Sequence, residues 1–99
     1  MSDDTPVISV GDVPGASRYE ITVDGVLAGF AAYRDRNGRR VFTHTEVDPR
    51  FEGRGLGSQL VRAALDDVRA RGLTIVPLCP FVRSWLDKHE GYDDLVAPS

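Results

Sequence analysis

Between His44 and Ser58 the chain reads His44-Thr-Glu-Val-Asp-Pro-Arg-Phe-Glu-Gly-Arg-Gly-Leu-Gly-Ser58, which has the pattern of a strand, a glycine-rich turn and the opening of a helix. No other stretch narrows the possible folds as much. Gly53, Gly55 and Gly57 remove the side chains that would hold the backbone away from a ligand. Several N–H groups and the positive end of a helix dipole can then converge on an anion. Two common phosphate loops are excluded by spacing. A Walker loop needs a Lys-Ser/Thr pair after its last glycine, whereas Ser58-Gln59 follows Gly57. A dinucleotide fingerprint needs Gly or Ala at position 58 or 60, where this chain has Ser58 and Leu60. A glycine-rich helix start that holds no ligand is the other reading of the turn.

Hydrophobic periodicity supplies the flanking elements. Tyr19, Ile21 and Val23 alternate with polar residues as in a half-buried strand that turns at Asp24-Gly25. A second strand runs from Val26 to Arg34, and after Asn37-Gly38 a third runs from Arg40 to Val47. Alternation places Val41, Thr43, Thr45 and Val47 on one face of that strand and Phe42, His44 and Glu46 on the other. Residues 1–6 are expected to be loose, and Val7 to Val10 to pair only weakly. From near Gly55, Leu56, Leu60, Ala64 and Val68 form one stripe, joined by Val61 and Leu65, so an amphipathic helix should pack on the sheet. Gly72 provides a left-handed cap, and Leu73 to Leu78 reads as a central strand reached by a crossover long enough for parallel pairing. Cys79-Pro80 opens a second helix over Phe81 to about His89. The expected fold class is α/β (α+β): a mixed sheet with an antiparallel three-strand meander, a β-α-β crossover and a C-terminal helix.

At 99 residues with 41% hydrophobic side chains, one modest core and a single domain over 1–99 are expected. The 12 basic residues are scattered among 15 acids for a net charge of −3, which argues against nucleic-acid binding. Arg34, Arg36, Arg39 and Arg40 gather around Asn37-Gly38 and read as an exposed, charged hairpin tip. The chain lacks an apolar stretch near the ~20 residues of a membrane span, and its acidic start is not a signal peptide. With the lone Cys79 unable to form an internal disulfide, a cytoplasmic location is expected. The preference for Arg over Lys, with abundant Ala, Asp and Gly, suggests a high-GC bacterial source. His44, His89 and Cys79 show no metal-ligand spacing, so no metal is expected.

The turn resembles the pyrophosphate loop of the GNAT superfamily of N-acetyltransferases, whose pattern is Arg/Gln-x-x-Gly-x-Gly/Ala after a strand ending in a Val-x-Pro-like segment. Val47-Asp-Pro49 matches the strand exit, Gly55-Leu-Gly57 the turn and Ser58-Gln-Leu-Val the helix start. The resemblance implies acetyl-coenzyme A as cofactor, bound by Val47, Gly53, Arg54, Gly55, Leu56, Gly57 and Ser58. Its first basic position is Glu52 here, so a basic contact to the diphosphate falls to Arg54 or Arg50, beside the backbone donors. Leu78-Cys-Pro-Phe-Val, Trp85-Leu-x-x-His89 and Tyr92-x-Asp-Leu95 are similar to a compact GNAT branch with a cysteine after the fourth strand. The likeness covers roughly residues 18–95. It places the thioester near Glu46, Val47 and Leu78-Cys79, between the splayed third and fourth strands.

Three residues are candidates for the chemistry. Cys79, at a strand-to-helix junction that favours a thiolate, could take up an acetyl group; a small buried hydrophobe is the alternative. Glu46 and His44 share a face and could remove the proton of an attacking amine, or simply be a strand-end carboxylate and a packed ring. Many GNAT members carry a tyrosine acid on the second helix, where this chain has Trp85, which reads as core, with Tyr92 beyond the helix. Only about ten residues follow His89, where typical members add a strand pair, so a shallow acceptor site is expected, compatible with an amine on a protein or peptide. The reading is an acetyl-coenzyme A-dependent N-acetyltransferase, a monomer or weak dimer. A non-catalytic acyl-coenzyme A binding module and a thiol redox protein acting through Cys79 stay open.

Overall fold

The structure, a computed structural model, describes residues 5–98. Strands β1 (Ile8–Val13), β2 (Arg18–Val23), β3 (Val26–Arg36) and β4 (Arg39–Val47) precede helix α1 (Leu56–Ala70), strand β5 (Thr74–Pro77) and helix α2 (Pro80–Lys88). They form one sheet in the order β1-β2-β3-β4-β5, antiparallel except for the parallel pair of β4 and β5. The mixed sheet and β-α-β crossover are those expected, with one strand more, and β5, expected to be central, lies at the end of the strand order, where, among the described residues, a single bridge from Ile75 to Val96 covers it. Far from pairing weakly, β1 is in register with β2 from Ile8↔Val23 to Val13↔Arg18. Its Gly11 and Asp12 break the apolar alternation that makes a strand legible. Residues 1–4 lie outside the described residues, but Val7 is tied down: its N–H donates to Asp24 Oδ1 (2.9 Å) and its carbonyl accepts from Asp24 N–H (2.8 Å). Both hairpin turns are the two-residue kind, with Asp24-Gly25 and Asn37-Gly38 at positive φ throughout.

A β-bulge decides which side chains of β4 reach the site. Ala32 pairs with His44 and Tyr33 with Phe42, so Thr43 is an inserted residue. The insertion reverses the alternation. Phe42, which strict alternation groups with His44 and Glu46, instead shares the helix-covered face with Thr45 and Val47. Phe42 is 1% exposed in the core, whereas His44 and Glu46 are exposed on the opposite face.

The helix stripe read from the sequence is buried as expected: Leu56, Leu60, Val61, Ala64, Leu65 and Val68 of α1 pack with Tyr19, Ile21, Ala31, Phe42 and Ile75 of the sheet. Gly72 ends α1 in a Schellman motif, with Leu73 N–H on Val68 C=O and Gly72 N–H on Arg69 C=O (both 3.1 Å). Helix α2 buries Val82, Trp85 and Leu86 against the same layer. Among the described residues both helices lie on one face of the sheet, and none is long and apolar enough to cross a membrane.

Arg40 corrects the expectation of an exposed basic tip. It is 4% exposed, with Nε and Nη2 donating to the two Asp35 oxygens (2.8 and 2.9 Å) and Nη1 to the Tyr19 hydroxyl (2.6 Å). Its guanidinium lies 4.0 Å from the Tyr33 ring centroid. Tyr19 donates onward to Asp67 (2.6 Å), Tyr33 to Asp12 (2.5 Å), and Arg71 reaches both carboxylates (2.7 and 3.4 Å). Burial and the hydrogen bond to Asp12 push the Tyr33 hydroxyl up to about 12. The Arg40 hydrogen bonds hold the Asp35 carboxyl below its ordinary range. Burial alone would raise Asp67, but hydrogen bonds from Tyr19 and Arg71 outweigh it and lower the group. A ring of charges thus clamps β1, β3, β4 and α1 together at the hairpin end of the sheet.

Candidate active site

The site forms where β4 and β5 part. Their ladder ends at Phe42↔Pro77, and the Phe42 carbonyl accepts from both Leu78 N–H (3.1 Å) and Cys79 N–H (3.0 Å). Beyond that point β4 continues to Val47 while the other chain turns away into α2. Thr45 faces the opening from the helix side, its hydroxyl 3.3 Å from Cys79 Sγ, which donates to it. Cys79 is 3% exposed at the N-cap of α2 and follows the fifth strand of the sheet, since β1 precedes the three expected.

From this opening a cleft of about 470 Å³ leads over Thr45 and Val47 to Gly53, Gly55, Gly57 and Ser58. Asp48 caps the short turn after β4: its Oδ1 accepts from Arg50 N–H (2.9 Å) and its carboxylate binds the Arg50 side chain (3.2 and 3.0 Å). Those hydrogen bonds lower the Asp48 carboxyl and occupy Arg50. Arg54, whose guanidinium lies 5.4 Å from the Phe51 ring centroid, forms no ion pair among the described residues. Of the two basic candidates, it is the one left for an anion.

Gly55 is the N-cap of α1 at φ 70°, and Gly53 sits at φ 82°, both in the left-handed region that a β-carbon disfavours. The first hydrogen bond of α1 runs from Gln59 N–H to Gly55 C=O (3.2 Å), so the N–H groups of Leu56, Gly57 and Ser58 precede the ladder. The first turn carries no acidic side chain that would compensate the helix dipole. Leu56 contributes only backbone, because its side chain is 2% exposed in the core. Gly57 has a second role that its sequence context conceals. A β-carbon there would stand 2.5 Å from Phe81 Cζ, so the glycine lets the Phe81 ring close over the turn.

Trp85 is core, as read, and also a donor: its Nε1–H bonds Ser58 Oγ at 2.9 Å. The Ser58 oxygen is thereby an acceptor toward α2, which frees its proton to point elsewhere. A buried tryptophan needs a partner for its N–H, and that is the signal by which this contact could have been sought. Tyr92 packs edge-on against Trp85 (5.0 Å), and its hydroxyl donates to Asp66 Oδ1 (2.9 Å), which raises it.

The expected site residues therefore fall into two groups. Val47, Gly53, Gly55, Leu56, Gly57 and Ser58 border the cleft, with Cys79 behind Thr45 on the same face of the sheet. His44 and Glu46 are together on the uncovered face, His44 Nε2 lying 3.5 Å from Glu46 Oε1, each side chain 60% exposed. The β4 bulge is what separates these residues from Phe42.

A five-stranded mixed sheet opening between its parallel strands, above a glycine-led helix start, is the GNAT-like N-acetyltransferase fold. The model of the family described as GCN5-related N-acetyl-transferase matches residues 18–95, and the chain belongs to that family. Over 63 residues it is 40% identical to the streptothricin acetyltransferase of Streptomyces lavendulae, covering 62% of this chain and 33% of that enzyme. The chain thus spans about a third of the length of that relative. It also superimposes on a GCN5-like protein from Staphylococcus aureus, solved by NMR, with a TM-score of 0.68 and 25% identity, covering 94% of this chain and 89% of the other.

Proposed function

We propose that this protein transfers the acetyl group of acetyl-coenzyme A to a primary amine. One observation carries the reading: the N–H groups that open α1 border a cleft that runs along Thr45 and Val47 to the point where β4 and β5 separate. Its two ends suit the two ends of such a molecule. Backbone donors, the Ser58 hydroxyl and Arg54 hold a diphosphate, and the narrow opening admits a thioester. The bound cofactor supplies an activated acyl carbon and a thiolate leaving group.

On the uncovered face the amine meets Glu46 and His44. An ammonium ion must lose its proton before nitrogen can attack, and the Glu46 carboxylate, directly or through water, accepts it, with His44 3.5 Å away as the next acceptor. A hollow of about 450 Å³ beside Glu46, bounded by Leu27, Phe30 and Pro49, gives the acceptor a place to stand. Cys79 lies against the acyl position from the helix side and holds Thr45 in orientation through its thiol. The leaving thiolate requires no acid from Tyr92, whose proton is engaged by Asp66.

Calorimetry with coenzyme A, followed by intact-protein mass spectrometry after incubation with acetyl-coenzyme A, tests the reading. Binding that is weakened in Gly57→Ala, with turnover toward a lysine-containing acceptor that is lost in Glu46→Gln, is the expected result. A hydroxylamine-labile acetyl adduct that disappears in Cys79→Ala would show that Cys79 carries the acyl group. No coenzyme A binding at all would sink acetyl transfer.

A further inference from the structure

Burial of Arg40 changes the meaning of the arginines around it. The side chains of Arg34, Arg36 and Arg39 remain exposed and form no ion pair or hydrogen bond among the described residues, while the one neighbouring carboxylate, Asp35, is bound by Arg40. Strand register puts all three on the uncovered face. Arg34 pairs with Val41 and Arg36 with Arg39, the positions that alternate with the inward-facing Asp35–Arg40 pair. With Asn37 and the Arg40-bound Asp35 they line a groove of about 570 Å³ whose floor is Val41, Val76 and Leu78, the last 60% exposed. In a chain of net charge −3, three unpaired guanidinium groups beside an apolar strip form a local surface of opposite sign.

The groove and the candidate site share no lining residue but are built on the same strands. Leu78 immediately precedes Cys79, and Val41 and Val76 form the next pair back from the end of the β4–β5 ladder. On β3, Phe30 pairs with Glu46 at the acceptor hollow, and Arg34 and Arg36 follow it four and six residues along. At about 3.3 Å per residue those arginines stand roughly 13 and 20 Å from the hollow. A small amine cannot span that distance, but an extended polypeptide covers it in four to six residues.

Resting on the acetyltransferase reading, we infer that the acceptor is a polypeptide amine lying extended over the uncovered face of β3 to β5. Acidic residues four to six positions from the amine bind Arg34, Arg36 and Arg39, and an intervening apolar side chain rests on Val41, Val76 and Leu78. Arginine forks suit carboxylates through paired charge-assisted hydrogen bonds. The floor is aliphatic and offers no aromatic platform on which bases would stack, which favours a peptide over a single-stranded nucleic acid.

The test uses the full chain and three fluorescein-labelled peptides that each carry one lysine: one with Glu at positions four to six from it, one with Gln there, and one with the Glu residues adjacent to the lysine. Fluorescence anisotropy should show the spaced acidic peptide binding at least tenfold more tightly than the other two. That preference should weaken with salt and disappear in the exposed-surface variant Arg34→Gln/Arg36→Gln/Arg39→Gln, whose coenzyme A affinity should be unchanged. Equal binding of the three peptides, or a triple variant that behaves as wild type, overturns the inference. Tighter binding of a single-stranded oligonucleotide through the same arginines overturns it in favour of nucleic acid. The two readings fail separately: absent coenzyme A binding removes acetyl transfer and leaves the peptide measurement interpretable, whereas coenzyme A binding without peptide selectivity removes the substrate class alone.

Discussion

The two ends of the β3–β4 hairpin treat polar groups in opposite ways. At the turn end, Arg40, Asp35, Asp12, Asp67, Tyr19 and Tyr33 are bound to one another, and Arg40 is 4% exposed. At the other end, backbone N–H groups at the start of α1 precede the helical ladder and β4 outruns its parallel partner. Groups that hold one another in this way resist rearrangement, because removing one leaves its buried partners in a poor solvent. Groups without a protein partner are available to a ligand. The contrast implies that stability resides largely at the closed end and binding at the open one, and substitutions can show whether the two separate.

The largest effect is expected at the closed end. Arg40→Ala removes a buried cation, leaves the buried Asp12 with only Tyr33 and Arg71, and should cost about 3 kcal/mol, the lower end of the penalty for breaking a buried ionic cluster because Asp35 is half exposed. In a domain of this size that lowers Tm by more than about 12 °C, read by thermal denaturation, with coenzyme A affinity of the folded fraction intact. A comparable loss of affinity would show that the two ends are coupled. Gly57→Ala perturbs the open end alone. The new methyl meets Phe81 at the mouth of the turn, so calorimetry should show coenzyme A binding at least about tenfold weaker, or about 1.4 kcal/mol, with little change in Tm.

Trp85→Phe keeps the ring but removes the donor to Ser58. A loss of about 1 kcal/mol is expected, shared between stability and coenzyme A affinity, and Ser58→Ala should abolish the affinity share. The smallest effect comes from acid. Asp35 and Asp67 are depressed in the folded state, so their contribution is present above the unfolded value of about 4 and is lost as pH falls through the lower folded values. Tm followed from neutral to acid pH should therefore decline less steeply for Asp35→Asn than for wild type. Tyr33 has the opposite sign: raised to about 12, it stabilises below its unfolded value of about 10 and loses that contribution as pH rises through the folded one.

Local signals carried much of the fold. Asp24-Gly25 and Asn37-Gly38 announce two-residue hairpins because those residue types tolerate positive φ, and the Leu56-to-Val68 stripe announces a helix packed on one side. Strand β1 was less legible, since its stability derives from its place beside β2 rather than from its own alternation. Gly53 and Gly55 were legible as a tight turn into a helix because both adopt the left-handed backbone that glycine tolerates.

Side-chain partnerships were not legible. Arg40 looks like its neighbours Arg36 and Arg39 in a charged run; only the pairing of β3 with β4, and the approach of β1 and α1, enclose it with Asp12, Asp35 and Asp67. The bulge at Thr43 is likewise invisible in a local pattern, although that one inserted residue places Phe42 in the core and leaves His44 and Glu46 on the far side of the sheet. Periodicity, turn chemistry and the glycine spacing were present in the amino-acid order, because each depends on neighbours a few residues apart. The buried Arg40 cluster, the Trp85–Ser58 bond and the opening between β4 and β5 were decided by tertiary structure, because each joins groups that chain order separates and only packing brings within reach.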